Sequence, residues 1–187
     1  MDAGHDVPSA SRAWAALAGF TAGMLGAIVL LAVVGLASLW TRHSFWYPAG
    51  VIASTFYGDD AISIGLHWST LSGVAVLLIL YSLFGAVFGA VMQGAGWGLR
   101  RLMMLGIVSG AAWYYLWFGL LWKRLNPLVP LYTHDAPMFW GHLVYGALLA
   151  RFGLYYRRFT AVPSPLVMLP AALPEPAAAD SVTPPEA

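Results

Sequence analysis

The residues best suited to chemistry form a tyrosine–aspartate–histidine pattern that occurs twice, 75 positions apart. The first copy is Tyr57, Asp60 and His67, and the second is Tyr132, Asp135 and His142. Imidazoles and carboxylates bind divalent cations, imidazoles also serve as axial ligands of haem, and histidine exchanges protons near neutral pH. The pattern therefore predicts a duplicated half-site for a metal ion, a haem or protons.

The spacing within each copy limits how such a site can be built. If a copy lies on one helix, the seven positions between aspartate and histidine correspond to about two turns, or roughly 10 Å along the axis. One ion with bonds of about 2 Å cannot bind both side chains. We therefore expect His67 and His142 to face each other, either as metal ligands or as the axial ligands of a single haem b. The other charged residues near them would form an outer polar layer, which consists of Asp59, Asp60, Asp135, His134, Arg42 and Arg124.

A purely structural role is the alternative for the two aspartates. Asp60 and Asp135 each precede an apolar run, and Pro137 follows the second aspartate at a position that suits the first turn of a helix. Both aspartates could then be helix N-caps that need no ligand. This alternative leaves the histidines unexplained, unless they are relics of a duplication.

Composition places the chain in a lipid bilayer. Hydrophobic residues make up 60% of the 187 positions and charged residues only 9%, and the mean hydropathy is +0.72. A globule of this size cannot bury that much apolar surface. Four runs are long enough to cross about 30 Å of hydrocarbon as helices, and they cover residues 13–40, 71–92, 102–122 and 138–156. The sequence predicts an all-α protein with four transmembrane helices.

Weaker matches extend the duplication over the whole transmembrane domain, residues 12–158. Repeat one covers about 12–93 and repeat two about 102–158, so that each repeat is a two-helix hairpin. Two spans per unit make the repeats parallel, related by an axis along the membrane normal. Glycines spaced four apart let helix backbones approach closely in lipid. The predicted packing glycines are Gly19, Gly23, Gly85, Gly89, Gly106 and Gly110.

The distribution of basic residues predicts the orientation. Five arginines flank the spans on the side of the two termini, against three basic residues on the other side. The excess of positive charge favours cytoplasmic N and C termini in the inner membrane of a bacterial cell. Residues 1–11 and the proline- and alanine-rich tail, 159–187, have no apolar period and are predicted to be disordered.

Two aromatic or apolar segments leave alternatives open. Residues 45–57 are too short to span the bilayer, and they either lie in the interface or re-enter the membrane as a lid over His67. The aromatic run 113–118 either packs against glycine faces or lines a cavity for a cofactor or quinone.

Three classes of function are consistent with these features. The first is a non-enzymatic structural, accessory or assembly subunit whose partners are the bilayer and another membrane protein or a second copy. The second is a small permease or ion-handling protein, and the third is a b-type haem protein. No cofactor is required by the sequence, although a single haem or a divalent metal is compatible with it. Enzyme motifs are absent, there is no cysteine nucleophile, and the few basic residues give no case for nucleic-acid binding.

Overall fold

The computed structural model describes residues 9–62, 65–93 and 98–161. Within these ranges the chain is helical and contains no strand. A 3₁₀ turn, Asp59–Ile62, follows the second helix, and a π-helical segment, Tyr115–Leu121, follows the fourth. The helices are α1 (Ser9–Arg42), α2 (Tyr47–Tyr57), α3 (Trp68–Met92), α4 (Leu99–Tyr114), α5 (Trp122–Leu125), α6 (Leu128–Tyr132), α7 (Asp135–Leu149) and α8 (Phe152–Thr160).

Three helical stretches are long and apolar enough to cross a membrane. They are Ser11–Arg42, Trp68–Met92 and Leu99–Leu125. Large apolar side chains such as Leu36, Ile79 and Val108 are exposed on their outer faces, as expected for surfaces that contact lipid. The all-helical prediction is thus confirmed for the described residues, and the chain has the features of a membrane protein.

The fourth predicted span, 138–156, is not one helix. It is divided between α7, of 15 residues, and α8, of 9 residues. Between them the amides of Ala150 and Arg151 bond to carbonyls three residues back, Ala147 O and Leu148 O, which tightens the chain for one turn. At about 1.5 Å per residue, α7 alone is about 22 Å long. It is therefore shorter than the hydrocarbon core, and only α7 and α8 together have the predicted length.

Two antiparallel helix pairs form close contacts through glycines. In the first pair, a methyl group added to Gly19 of α1 would lie 2.9 Å from Cα of Gly89 on α3, and it would overlap the carbonyl oxygen of Gly85. In the second pair, a methyl group on Gly110 of α4 would overlap His142 O on α7 and lie 3.0 Å from Cα of Gly146. All six glycines predicted from the sequence lie at these two contacts, in which the backbones touch directly.

Residues 45–57 form the buried helix α2 over most of their length. Seven consecutive residues, from Pro48 to Ser54, are buried against α1, α3, α6 and the 3₁₀ turn. Gly73 of α3 meets the backbone of Ala49, which explains the close approach of α2 to α3. His67 remains exposed, so α2 does not cover it, and the alternative in which residues 45–57 form a lid over His67 is not supported.

The disordered ends that the sequence predicts coincide only in part with the described residues. Helix α1 begins at Ser9 and α8 ends at Thr160, each within a few residues of the predicted limits. The remainder of the two predicted segments, residues 1–8 and 162–187, lies outside the described residues.

Candidate functional site: a buried histidine between the helix pairs

His142 is a fully enclosed histidine in the described part of the chain. It lies on α7 and has no exposed surface. Aromatic rings surround it: the ring centroids of Tyr114, Tyr81 and Phe118 lie 5.2, 5.5 and 5.7 Å from its own. Tyr114 and Phe118 are themselves stacked, with centroids 5.4 Å apart. The cage joins residues from α3, α4, the π segment and α7.

Both ring nitrogens of His142 take part in hydrogen bonds. Nδ1 lies 2.7 Å from Met138 O, which can only accept, so Nδ1–H is the donor. In the neutral ring Nε2 then accepts from the Tyr81 hydroxyl at 2.6 Å. Because a ligated histidine needs a free lone pair on one nitrogen, this arrangement leaves none for a metal ion or a haem iron.

His67 occupies a different environment. It is the exposed residue that precedes the first turn of α3, with φ −142° and ψ 172°, and its Nδ1 lies 3.4 Å from Ser69 Oγ. The 3₁₀ turn and Gly65, at φ +78°, separate it from Asp60. The expectation that Asp60 and His67 share one helix face is therefore wrong, whereas Asp135 and His142 do lie on one helix. The two histidines occupy unlike sites rather than facing each other.

The predicted outer polar layer is assembled only in part. Arg42 and His134 line one cleft, described below. Asp135 lies in the first turn of α7, where a carboxylate is favourable, and it accepts from the Tyr114 hydroxyl at 3.4 Å. Neither Asp60, in the 3₁₀ turn, nor Asp135 is the residue that caps α3 or α7. The N-cap alternative is therefore wrong for both helices. Asp59 and Arg124 are exposed.

The structure identifies Tyr81 as a partner that the sequence pattern missed. At the first glycine contact, Gly23 faces Tyr81 O and Gly85; at the second, Gly110 faces His142 O and Gly146. Tyr81 therefore occupies in the first pair the place of His142 in the second, 61 positions later. The sequence did contain a signal for this match. An aromatic residue and a glycine follow Tyr81 after three and four residues, as Phe84 and Gly85, and they follow His142 at the same distances, as Tyr145 and Gly146.

Two more buried polar contacts connect the halves of the chain. The Tyr145 hydroxyl donates to Tyr81 O at 2.7 Å, beside the histidine cage. Near the outer ends of the helices, Asn126 Nδ2 donates to Ser54 Oγ at 3.0 Å and to Thr55 Oγ1 at 3.1 Å. Buried hydrogen bonds between apolar segments fix their relative position, because an unpaired polar group in hydrocarbon is unfavourable.

A polar cleft lies at the end of α1. Arg42, Tyr47, Tyr132 and His134 line it, together with hydroxyls of Ser38 and Thr133, and it encloses about 330 Å³ with its open mouth included. The Arg42 guanidinium lies over the Tyr47 ring, 5.2 Å from its centroid. Burial raises the pKa of the Tyr47 phenol and the Arg42 charge partly offsets this rise, so that the phenol remains a neutral donor.

The described residues contain no group of three or more histidine, cysteine or acidic side chains placed to hold a metal ion. The arrangement around His142 is instead a hydrogen-bonded aromatic core at the junction of two helix pairs. Comparisons with protein-family models, curated proteins and solved structures give no match to this chain.

Proposed function

We propose that the protein is a non-enzymatic integral membrane protein of the structural or accessory class, whose two helix hairpins are joined by the Tyr81–His142 contact. The observation that carries this proposal is the state of His142. It has no exposed surface, and both of its nitrogens are engaged by Tyr81 and Met138. A histidine whose two ring nitrogens are both engaged inside the bundle supports the packing of helices rather than turnover of a substrate.

The haem and cation alternatives receive less support from the same geometry. A bis-histidine haem needs two imidazoles that face each other with free nitrogens. Here one histidine is enclosed and hydrogen-bonded and the other is exposed at the start of α3. A transport role would also require polar groups along a path through the bundle. The polar side chains buried in the bundle already have partners on other helices. The Tyr145 hydroxyl donates to Tyr81 O on α3, and the Tyr81 hydroxyl donates to His142 on α7.

A visible spectrum and elemental analysis of the detergent-purified protein test the proposal. We expect a colourless protein without stoichiometric metal, and the same result for His67→Ala and His142→Ala. A Soret band or a bound metal that disappears in both variants would overturn it in favour of a cofactor site. A metal lost only in His67→Ala would indicate a surface site that is independent of the buried histidine.

The proposal includes four spans in two tandem hairpins, α1 with α3 and α4 with α7–α8, and cytoplasmic termini. Support comes from the two matching glycine contacts and from the combined length of α7 and α8. The number of spans can be tested, because an even number places both termini on the same side of the membrane. The chain has no cysteine, so single cysteines can be introduced as reporters.

We expect Ala13→Cys and Ala161→Cys, both at exposed positions, to react with an impermeant thiol reagent from the same, cytoplasmic face. His43→Cys, just beyond α1, serves as the control for the opposite face. Reaction of Ala13→Cys and Ala161→Cys from opposite faces would reduce the count to three spans and leave α7 and α8 without a crossing.

A further inference from the structure

A second cleft lies next to the polar cleft at the end of α1. It is lined mainly by apolar and aromatic side chains of α2, α3, the π segment and α5, among them Ile52, Leu77, Tyr81, Trp117 and Trp122, and it encloses about 400 Å³ with its mouth included. Within the described residues that line it there is no charged side chain. Its surface suits a hydrocarbon chain.

Three residues line both clefts and form the wall between them: Val34, Pro48 and Met138. All three are buried. Met138 is the flexible member, because an unbranched thioether changes rotamer more easily than Val or Pro. The two clefts are therefore adjacent, and Met138 is the side chain between them that can move most easily.

The outer cleft has the composition of a site for an anion. Arg42 supplies a permanent positive charge, Tyr47 and Tyr132 supply hydroxyl donors, and His134 supplies a ring nitrogen. None of the described residues that line it is acidic. Hydroxyl and guanidinium donors around one space recognise a phosphate or carboxylate through charge-assisted hydrogen bonds.

The depth of the two clefts matches an amphiphile in a bilayer. The apolar span of α1 ends at Arg42, which places the polar cleft at the level of lipid headgroups. Val34 lies eight residues earlier on the same helix, or about 12 Å deeper. Tyr81 lies 13 residues into α3, near the middle of that span. The inner cleft thus extends through the depth that acyl chains occupy.

One residue that lines the inner cleft, Trp117, has a hydrogen-bond donor without a partner among the described residues. This donor, the indole Nε1, is buried. A buried N–H without a partner is unfavourable by roughly the desolvation cost of that group. An ester oxygen of a phospholipid chain would be a suitable acceptor.

We propose that the two adjacent clefts, connected when Met138 changes rotamer, bind one anionic membrane amphiphile, with its headgroup against Arg42 and its chain past Met138 toward Trp117. The shared chemistry is a phosphate or carboxylate attached to a long apolar chain. An acidic phospholipid and a free fatty acid both meet this description, and the experiment below separates them. The inference does not depend on the accessory role proposed above.

Quenching of tryptophan fluorescence by brominated lipids tests this site in the full-length protein in detergent micelles. We expect saturable quenching by brominated phosphatidylglycerol, and at least five-fold weaker quenching by brominated phosphatidylcholine. Arg42→Gln should weaken phosphatidylglycerol binding about five-fold. Arg124→Gln, an exposed arginine that lines neither cleft, should change it less than two-fold.

Further measurements distinguish an acidic phospholipid from a free fatty acid and test whether the acyl chain enters the inner cleft. Competition by unbrominated oleate that is stronger than by unbrominated phosphatidylglycerol would identify a fatty acid as the occupant. Trp117→Phe should remove a large part of the quenching if the chain enters the inner cleft. Equal binding of the two phospholipids together with an unchanged Arg42→Gln variant would overturn the proposal. Full displacement of phosphatidylglycerol by inorganic phosphate would overturn it too, because the chain would then contribute nothing.

Discussion

The two antiparallel helix pairs share one contact but differ in what surrounds it. In α1–α3 and in α4–α7, glycines at matching positions bring two backbones together. Beyond the contact the pairs differ, because α3 presents Tyr81 where α7 presents His142. The two side chains bond to each other across the junction. The lesson is that two similar helix pairs can gain their specific interaction where they differ, rather than where they agree.

The short helices α2 and α6 also resemble each other in position but differ in the segment that follows them. α2 and α6 both follow the first helix of their pair and end at Tyr57 and Tyr132, the tyrosines of the duplicated pattern. After α6 the chain enters α7 within three residues, whereas after α2 it passes through a 3₁₀ turn before α3 begins. Tyr57 and Tyr132 are 75 positions apart, whereas Tyr81 and His142 are 61 positions apart. The chain from Tyr57 to Tyr81 is therefore 14 residues longer than the chain from Tyr132 to His142.

The largest expected effect comes from closing the glycine contacts. Gly85→Val and Gly146→Val each place a branched side chain against a facing backbone, with added Cβ atoms 2.7 Å from Gly23 Cα and 2.8 Å from Gly106 C, respectively. We expect each to lower the free energy of unfolding by about 3 kcal/mol or more, since backbone cannot yield as a side chain can. Unfolding by SDS in mixed micelles measures it.

A control for this comparison is Gly153→Ala on α8, where an added Cβ meets nothing within 4 Å. It should leave the free energy of unfolding unchanged or slightly raised, because alanine has the higher helix propensity. A large loss in only one of the two valine variants would mean that the pairs do not contribute alike, and the structural equivalence of the contacts would fail.

The next largest effect is expected for His142→Ala. The substitution leaves the Tyr81 hydroxyl without its acceptor and opens a cavity among the rings of Tyr114 and Phe118. Together these should lower the free energy of unfolding by about 2–4 kcal/mol. Thermal and SDS unfolding give the value, and a loss below 0.5 kcal/mol would show that the cage does not stabilise the junction.

A smaller energy is expected for the coupling between the Tyr81 and His142 side chains. In a double-mutant cycle with Tyr81→Phe and His142→Phe, we expect a coupling energy of about 0.6–1.7 kcal/mol, the range for buried hydrogen bonds in membrane proteins. Tyr145→Phe, which removes a neighbouring bond to Tyr81 O, provides a reference variant. Additive effects of the two phenylalanine substitutions would argue that the 2.6 Å contact contributes no specific energy.

The smallest effect is expected for His67→Ala. His67 is exposed and its Nδ1 contact with Ser69 is long, at 3.4 Å, so the free energy of unfolding should change by less than about 0.5 kcal/mol. The same unfolding assay, run beside His142→Ala, separates the two histidines of the duplicated pattern. Equal losses for both would restore the symmetrical arrangement that the sequence suggests.

Hydropathy and glycine spacing predicted much of the architecture. A long apolar run is expected to be helical in a membrane, since within one segment only a helix pairs every backbone group, and three of the four predicted runs lie in continuous helical stretches of spanning length. The helix break at Ala150 and Arg151 has no comparable signal, because neither residue opposes helix formation. The number of spans therefore remains a proposal.

The placement of the two histidines was harder to predict. An identical spacing lies on a helix in the second copy and across a turn in the first, where Gly65 adopts φ +78°. The glycine was visible in the sequence, but an isolated glycine does not specify where a helix begins. Tyr81 was missed for another reason: its signal, the aromatic–glycine pair that follows both Tyr81 and His142, is recognised only once the 61-residue offset is known.

The π segment, Tyr115–Leu121, affects how the third spanning stretch tolerates changes in length. Hydrogen bonds in a π-helix close over one residue more than in an α-helix, so such a segment accommodates a residue that regular helix would not. Trp122, just after it, is buried, while Lys123 and Arg124 are exposed. Deletion of one residue, such as Gly119, would be absorbed by a return to α geometry. A deletion in α1, which has no such segment, would rotate every following side chain by about 100°.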